Sequence, residues 1–244
     1  MDQKMVSPQR IAKKILLGTV LGDGFVGNGS KLPKAVLILT QGARQFEYLL
    51  WKMKALVPLV KDYYVKIRTS SGGKPIVQAV TTHQRLLYHT WKDMYNNIDG
   101  KIKKVVKLNV LRRLTPLSLA CWHMDDGSLY VSNGLIKGLR LATYGFSYDE
   151  QHIIKQYFAE IGITVNVASY KPDQNGKQYH YIGMKKKETE KFINMIQPHV
   201  HKTMQYKIDP SKHCAEHEYT REDIVRTLQK CKEFVRNNES ILVY

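Results

Sequence analysis

Cysteine is nearly absent from this 244-residue chain: Cys121, Cys214 and Cys231 are the only three, and they stand in unrelated contexts. An odd, sparse set excludes a disulfide framework and suits a reducing compartment. No stretch approaches the roughly 20 consecutive apolar residues of a membrane span, and Met1 to Arg10 lacks the apolar core of a signal peptide. Acidic residues are scarce as well, 21 Asp and Glu against 38 Lys and Arg, for a formal charge of +17. What is present is core material, 43% hydrophobic and 10% aromatic, which excludes disordered and collagen-like chains. The length allows one large domain or two of about 100 to 120 residues.

The charge is unevenly placed. From Pro210 to Tyr244 six basic residues meet six acidic ones, so the whole excess lies in the first 209 residues. Lys101, Lys103, Lys104, Lys107, Arg112 and Arg113 form a basic stretch without a carboxylate. Excess charge of this size favours nucleic acid, because each neutralised phosphate releases condensed counterions. On composition alone, a basic ribosome-associated factor or a binder of anionic membranes stays open.

Hydrophobic periodicity predicts one order of elements twice. Arg10 to Leu21 reads as a helix ended by Gly22-Asp23-Gly24. Strand-like Ala35 to Thr40, a helix from Arg44 to Leu56, strands Tyr63 to Arg68 and Ile76 to Thr81 around Ser70-Ser71-Gly72-Gly73, and a helix from Gln84 to Tyr95 follow. Then Leu117 to Met124 is a helix ended by Asp125-Asp126-Gly127, and Leu135 to Thr143 a strand. Tyr148 to Ile161 is a helix whose Ser147 and Glu150 form a capping-box pattern. A hairpin of Ile163 to Tyr170 and Gln178 to Ile182, and a helix from Glu188 to Ile196, complete the second copy. The expectation is an α+β fold built from two αββαββα units with antiparallel sheets. Asp23 and Asp126 are 103 residues apart, as are Lys104 and Lys207, the offset a duplication predicts.

The two Asp-Gly helix ends carry the chemistry. Leu16 to Gly24 aligns without gaps on Leu119 to Gly127, each an apolar helix delivering an acid at its C-terminal end. Gly18 and Cys121, with Gly22, are small enough to let two such helices approach closely, which would bring Asp23 and Asp126 together. Carboxylates there oppose the helix dipole and each other, and a divalent cation relieves both. A Mg²⁺ so held beside a phosphate can drive phosphodiester hydrolysis.

These segments resemble the paired signature of LAGLIDADG homing endonucleases in their single-chain, two-motif form. Leu16, Gly18 and Asp23-Gly24 match signature letters, as do Leu119-Ala120 and Asp126-Gly127, and Leu114 to Ser118 and Met204 to Lys207 are also similar to monomeric members. The resemblance covers residues 10 to 209. It implies a pseudo-twofold pair of units, motif helices at the interface, and two antiparallel sheets straddling the DNA major groove. It also implies that Asp23 and Asp126 bind the metals that cut the two strands, with Mg²⁺ as cofactor and Mn²⁺ as substitute. Gly22 and Asp125, the preceding residues, are added to the metal set, Asp125 either assisting metal binding or simply facing solvent beside Asp126, and Lys104 and Lys207 are the implied basic catalytic residues, with Lys103 an alternative to the first. Three departures stand out: Asp125 replaces a small residue, and Trp122 and His123 replace aliphatic ones. His123, on an apolar helix, reads as a packed residue rather than a ligand.

Strand alternation fits sheets with one wet face. Tyr64, Lys66 and Arg68 oppose Val65 and Ile67, while Asn166 and Tyr170 oppose Val165 and Val167. Gln178 and His180 share a face, whereas the spacing of Lys137 and Arg140 puts them on opposite ones. With Lys74, Gln78 and Lys177, these residues form the expected DNA-binding set, since such side chains can reach base edges and phosphates. The divisions are a first half over 8–100, a basic linker over 101–115, a second half over 116–209 and a C-terminal extension over 210–244. In the last, Thr220 and Asp223 open a helix to about Asn237 with Ile224, Leu228, Cys231 and Val235 on one face, more suited to packing than to DNA. His199, His201, His213, Cys214 and His217 match no zinc spacing.

The reading is a monomeric, Mg²⁺-dependent double-strand endonuclease with a long non-palindromic target, promoting the mobility of its host element. The starting Met1 favours an intron-type protein over an intein. Two rivals use the same fold: a maturase that binds intron RNA, and a cleavage-inactive DNA-binding regulator. No targeting segment is evident, which suits translation in the compartment of use, a phage-infected or bacterial cytoplasm or an organelle.

Overall fold

The first helix begins at Pro8, where a fixed φ and a missing N–H cost nothing, and Ser7 caps it by accepting the Arg10 N–H. The computed structural model describes residues 7–28, 33–60 and 62–212, with 222, 225, 226, 229, 230, 233 and 241–243. These fall into two compact units, one drawn from Met1–Trp91 and Cys214–Tyr244, the other from Lys92–His213. No helix among the described residues is long and apolar enough to cross a membrane.

The first unit runs α1 (Pro8–Leu21), β1 (Phe25–Gly27), β2 (Val36–Gly42), α2 (Phe46–Leu56), β3 (Tyr63–Thr69), β4 (Pro75–Thr81) and α3 (Arg85–Met94), where the boundary between the units falls. This is αββαββα. Its sheet has the order β1-β2-β4-β3, extended beyond β3 by β11 (Ile241–Val243), which pairs parallel with Tyr63–Val65. Leu37 and Leu39 on β2, Val77 and Ala79 on β4 and Val65 on β3 alternate into the core, and α2 packs on that side with Phe46, Leu49 and Met53 buried. From Ile15 to Leu21 every residue of α1 is buried, so the periodicity that marks a surface helix is lost there.

The second unit opens with the hairpin β5 (Tyr95–Ile98) and β6 (Lys101–Lys104), turned by Asp99 and Gly100, both at positive φ (53° and 75°) as a two-residue Asp-Gly turn requires. With the short α4 (Leu108–Leu111) it occupies much of the stretch read as a basic linker. The plan then repeats: α5 (Pro116–Asp126), β7 (Gly127–Ser132), β8 (Leu135–Leu141), α6 (Tyr148–Glu160), β9 (Asn166–Ser169), β10 (His180–Lys185) and α7 (Lys186–Ile196). All strands of its sheet, in the order β7-β8-β10-β9, are antiparallel. Helices α6 and α7 cover one face, over Leu129, Leu139, Leu141, Ile182 and Met184. Both bonds of the Ser147–Glu150 capping box form, and Glu150 also accepts the Val106 N–H at 2.7 Å, so the cap ties α6 to the strand of chain before α4.

The short strands β1 and β7 directly after the Asp-Gly ends, the hairpin β5–β6 and the strand β11 were not expected. Three to six residues give too little periodicity to be read locally; sheet neighbours define them. In the C-terminal extension, residues 222, 225, 226, 229, 230 and 233 are helical, and Lys230 meets Glu47 at 3.2 Å. The expected cap pair Thr220 and Asp223, and the apolar face of Ile224, Leu228, Cys231 and Val235, lie outside the described residues. So do His213, Cys214 and His217.

Candidate active site and nucleic-acid interface

In the first unit the Asp-Gly end is a reversal of the chain against its own helix. Gly22 closes α1 with its N–H on the Gly18 carbonyl, and the Gly24 N–H folds back to the Thr19 carbonyl at 2.8 Å. A Cβ at Gly24 would lie 2.7 Å from that oxygen and 2.8 Å from Thr19 Cγ2, so only glycine follows the aspartate. Asp23 is left exposed at the helix end. Its Oδ2 accepts a hydrogen bond from Gln41 Nε2 at 3.0 Å, and Gln41, on β2, is only 2% exposed, so the donor is fixed in place. Sequence reasoning missed Gln41, although a polar residue following Leu37 and Leu39 on the buried side of a strand was a visible signal.

The second unit builds its end differently. Thr115 caps α5, Pro116 occupies its first turn, and Asp126 is its last residue, half-buried, with its carbonyl accepting the Ala142 N–H at 2.9 Å. A Cβ at Gly127 would come within 2.0 Å of His123 Nδ1, so here a side chain of the helix itself dictates the glycine. His123 is fully buried, edge-on to Phe192 at 5.7 Å, and its Nε2 hydrogen-bonds the Lys207 carbonyl at 3.0 Å. With Nε2–H as donor the ring is neutral; burial, and then the nearby Lys207 charge, push its pKa down to about 3. It is a packed residue, as read from the sequence.

Lys207 is held at two points. Its carbonyl is taken by His123, and its Nζ donates to the Asp125 carbonyl at 2.9 Å. An ammonium on the last turn of α5 offsets the negative end of the helix dipole, one residue from Asp126. Met204, fully buried, and the His201 N–H on Met124 Sδ (3.2 Å) seat the rest of this segment on α5. Lys104 ends β6 opposite Tyr95, half-buried, and Lys103 pairs with Asn96 and is exposed. Register also separates the two ends: Phe25 pairs with Ile38, Ser128 with Arg140, and counting on from each puts Thr143 where the first unit has Gln41. Thr143 turns to Gln151 instead, at 2.7 Å, so the carboxylates sit in unlike settings.

Beside each end lies the open face of a sheet. In the first unit Gln78 pairs with both Thr40 and Lys66 and donates to Thr40 Oγ1 at 3.3 Å, while Lys66 Nζ lies 5.0 Å from the Tyr64 ring centre. Arg68 and Lys74 are exposed at the end of β3 and the following turn. In the second unit a groove of about 490 Å³ is lined by Ser128, Lys137, Arg140, Asn166, Tyr181 and Lys185 among others, with no carboxylate among its described lining. Lys137 and Arg140 both border it. The ladder skips Lys137, pairing Ile136 with Val131 and Gly138 with Tyr130, so a bulge breaks the period of two between them. One expectation is corrected. His180 has the parity of the core-facing Ile182; its ring lies 5.0 Å from Tyr148 of α6 and its Nδ1 bonds Ser169 at 2.7 Å, away from the groove. Gln178 bonds the Tyr170 carbonyl and Lys177 lies over Tyr179, both in the exposed loop before β10.

The donor chemistry at the two ends is hard oxygen. Among the described residues no three His, Cys, Asp or Glu cluster, so no closed protein cage is formed. One carboxylate with main-chain carbonyls suits a cation that keeps waters and takes further oxygens from a phosphate, as Mg²⁺ does.

Residues 13–192 match the model of the LAGLIDADG DNA endonuclease family. The chain belongs to that family. A probable intron-encoded endonuclease of Wickerhamomyces canadensis is 30% identical over 213 residues, covering 82% of this chain and 84% of the relative. The cytochrome b mRNA maturase bI2 of Debaryomyces hansenii is 26% identical, covering 80% and 72% respectively. RecA of Mycobacterium leprae is 30% identical over 86% of this chain, which spans only 29% of that longer protein. Among solved structures, the homing endonuclease I-WcaI bound to its DNA recognition sequence shares the fold, with a TM-score of 0.67 and 21% identity over 84% of this chain and 89% of that one. This LAGLIDADG protein is a homing endonuclease.

Proposed function

We propose that this endonuclease hydrolyses both strands of a long, non-palindromic DNA site as a monomer, with Mg²⁺ or Mn²⁺ as cofactor, and thereby promotes the mobility of its host intron. The observation that carries the reading is the adjacency, within the second unit, of an acid and a cationic groove: Asp126 ends α5, and Ser128, two residues on, already lines the groove. A duplex whose major groove receives this sheet presents its backbone to the end of α5. Asp23 and Asp126 would each supply a carboxylate to a divalent cation, which lowers the pKa of a bound water and stabilises the leaving oxygen. Gln41 holds the Asp23 carboxylate in one orientation, and the Lys207 ammonium adds positive charge beside Asp126, where phosphoryl charge builds up. Lys104 is assigned the matching basic role on the resemblance alone.

Cleavage of a randomised duplex library with Mg²⁺, wild type beside Asp23→Asn and Asp126→Asn, tests this. Wild type is expected to yield double-strand breaks at one long site and each variant to lose them. A second reading has its own support in the likeness to a maturase. Wild type that binds intron RNA without metal and never cuts DNA, with Mg²⁺ or Mn²⁺, would put that reading first.

A further inference from the structure

One arginine on the groove face of the second sheet is already held in position. Arg140 stands on the central strand β8, level with Ser128 on β7, Gly183 on β10 and Asn166 on β9, a rung that crosses the whole sheet. Its guanidinium carbon lies 5.8 Å from the ring centres of both Tyr170 and Tyr181, and its Nη1 donates to the Tyr170 hydroxyl. Tyr170 and Tyr181 pack at 5.0 Å, and the Tyr144 hydroxyl meets that of Tyr170 at 3.1 Å, so three tyrosines brace one another around the cation. The next residue on the rung is Gly183, and nothing but Tyr181 and the Asn166 carbonyl would lie even within 4 Å of a Cβ there. The floor beside Arg140 is therefore open.

We propose that Arg140 reads a guanine in the half-site bound by the second unit. The inference rests on the DNA-cleaving function above and adds which base is read and by what. Arg140 Nε is buried, which leaves the terminal nitrogens for the groove. One Nη1 proton goes to Tyr170; the other, with an Nη2 proton, makes the parallel donor pair that matches guanine O6 and N7. Adenine presents an amino donor in place of O6, and the pyrimidines lack N7, so guanine alone satisfies both. Bracing by aromatic faces removes most of the rotamer freedom an arginine loses on binding, which sharpens the preference. Placement on a central strand, with a glycine beside it, suits a base edge. Phosphates are met by residues at strand ends and rims, such as Lys137 and Lys185.

The experiment compares site profiles from a randomised duplex library cut by wild type, Arg140→Ala and Tyr170→Phe. Wild type is expected to prefer guanine at one position of one half-site by roughly 5- to 150-fold. Arg140→Ala should reduce that preference to about twofold or less and leave the order of base preferences elsewhere unchanged. Tyr170→Phe, which keeps the ring and removes the hydroxyl, should weaken the preference without abolishing it. The inference is overturned if no guanine requirement relaxes in Arg140→Ala, or if that variant weakens binding equally at every sequence while its salt slope falls by about one, the mark of a phosphate contact. If wild type selects no site at all, the nuclease reading falls too; a selected site indifferent to Arg140 sinks only this inference.

Discussion

Because His123 is buried as the neutral ring, acid should act on the second unit well before its carboxylates titrate. The imidazole moves from 6.5 when unfolded to about 3 when folded. A base with a lowered folded pKa contributes nothing unfavourable above the unfolded value; as pH falls below 6.5 the unfolded chain takes up a proton that the folded one refuses, and stability drops. Between pH 7.5 and pH 5 the loss is about 2 kcal/mol, set almost wholly by the unfolded value. At about 2 to 4 °C per kcal/mol, this lowers Tm by about 4 to 8 °C. Glu160 and Glu188, whose pKa values are lowered by Arg112 and by the Thr164 N–H respectively, work in the same direction but only below their unfolded value of 4.5. Urea unfolding of wild type and His123→Gln at the two pH values isolates the effect, since glutamine can still donate to the Lys207 carbonyl and other titrations cancel in the difference. Wild type should lose about 2 kcal/mol more than the variant. Equal losses, or a His123 imidazole proton signal titrating near pH 6.5 in the folded protein, would refute the reasoning.

The Asp-Gly glycines should resist the smallest change: Gly24→Ala and Gly127→Ala are each expected to cost about 1 to 3 kcal/mol, the second the more because it strikes the His123 ring, as denaturant midpoints would show. Gln41→Leu removes the donor on Asp23, a charge-assisted bond of about 1.5 to 3 kcal/mol. Cleavage of one strand should slow about tenfold or more, so that nicked plasmid accumulates; equal slowing of both strands would count against assigning Gln41 to a single carboxylate. Lys207→Met keeps the stem and deletes the charge on the α5 end, so single-turnover cleavage should fall at least about tenfold while DNA affinity changes little. A purely structural lysine would leave the rate intact.

Much of this endonuclease was legible locally. The two apolar helices, the reversal after each aspartate, the Ser147–Glu150 cap and the repeated order of elements depend on neighbours a few residues away, and such interactions are written in consecutive letters. The excess of lysine and arginine likewise announced an anionic substrate before any fold was known. What the letters could not carry is register and long-range pairing. Gln41 reaches Asp23 because β2 pairs with β1, and His123 and Lys207, 84 positions apart, meet only when the segment after α7 folds onto α5. One skipped residue in a ladder broke the alternation between Lys137 and Arg140, and one strand's parity turned His180 toward α6. Side-chain facing in a sheet has a period of two, so a single bulge or a one-residue change of register reverses it. That choice is made by the packing of the whole unit.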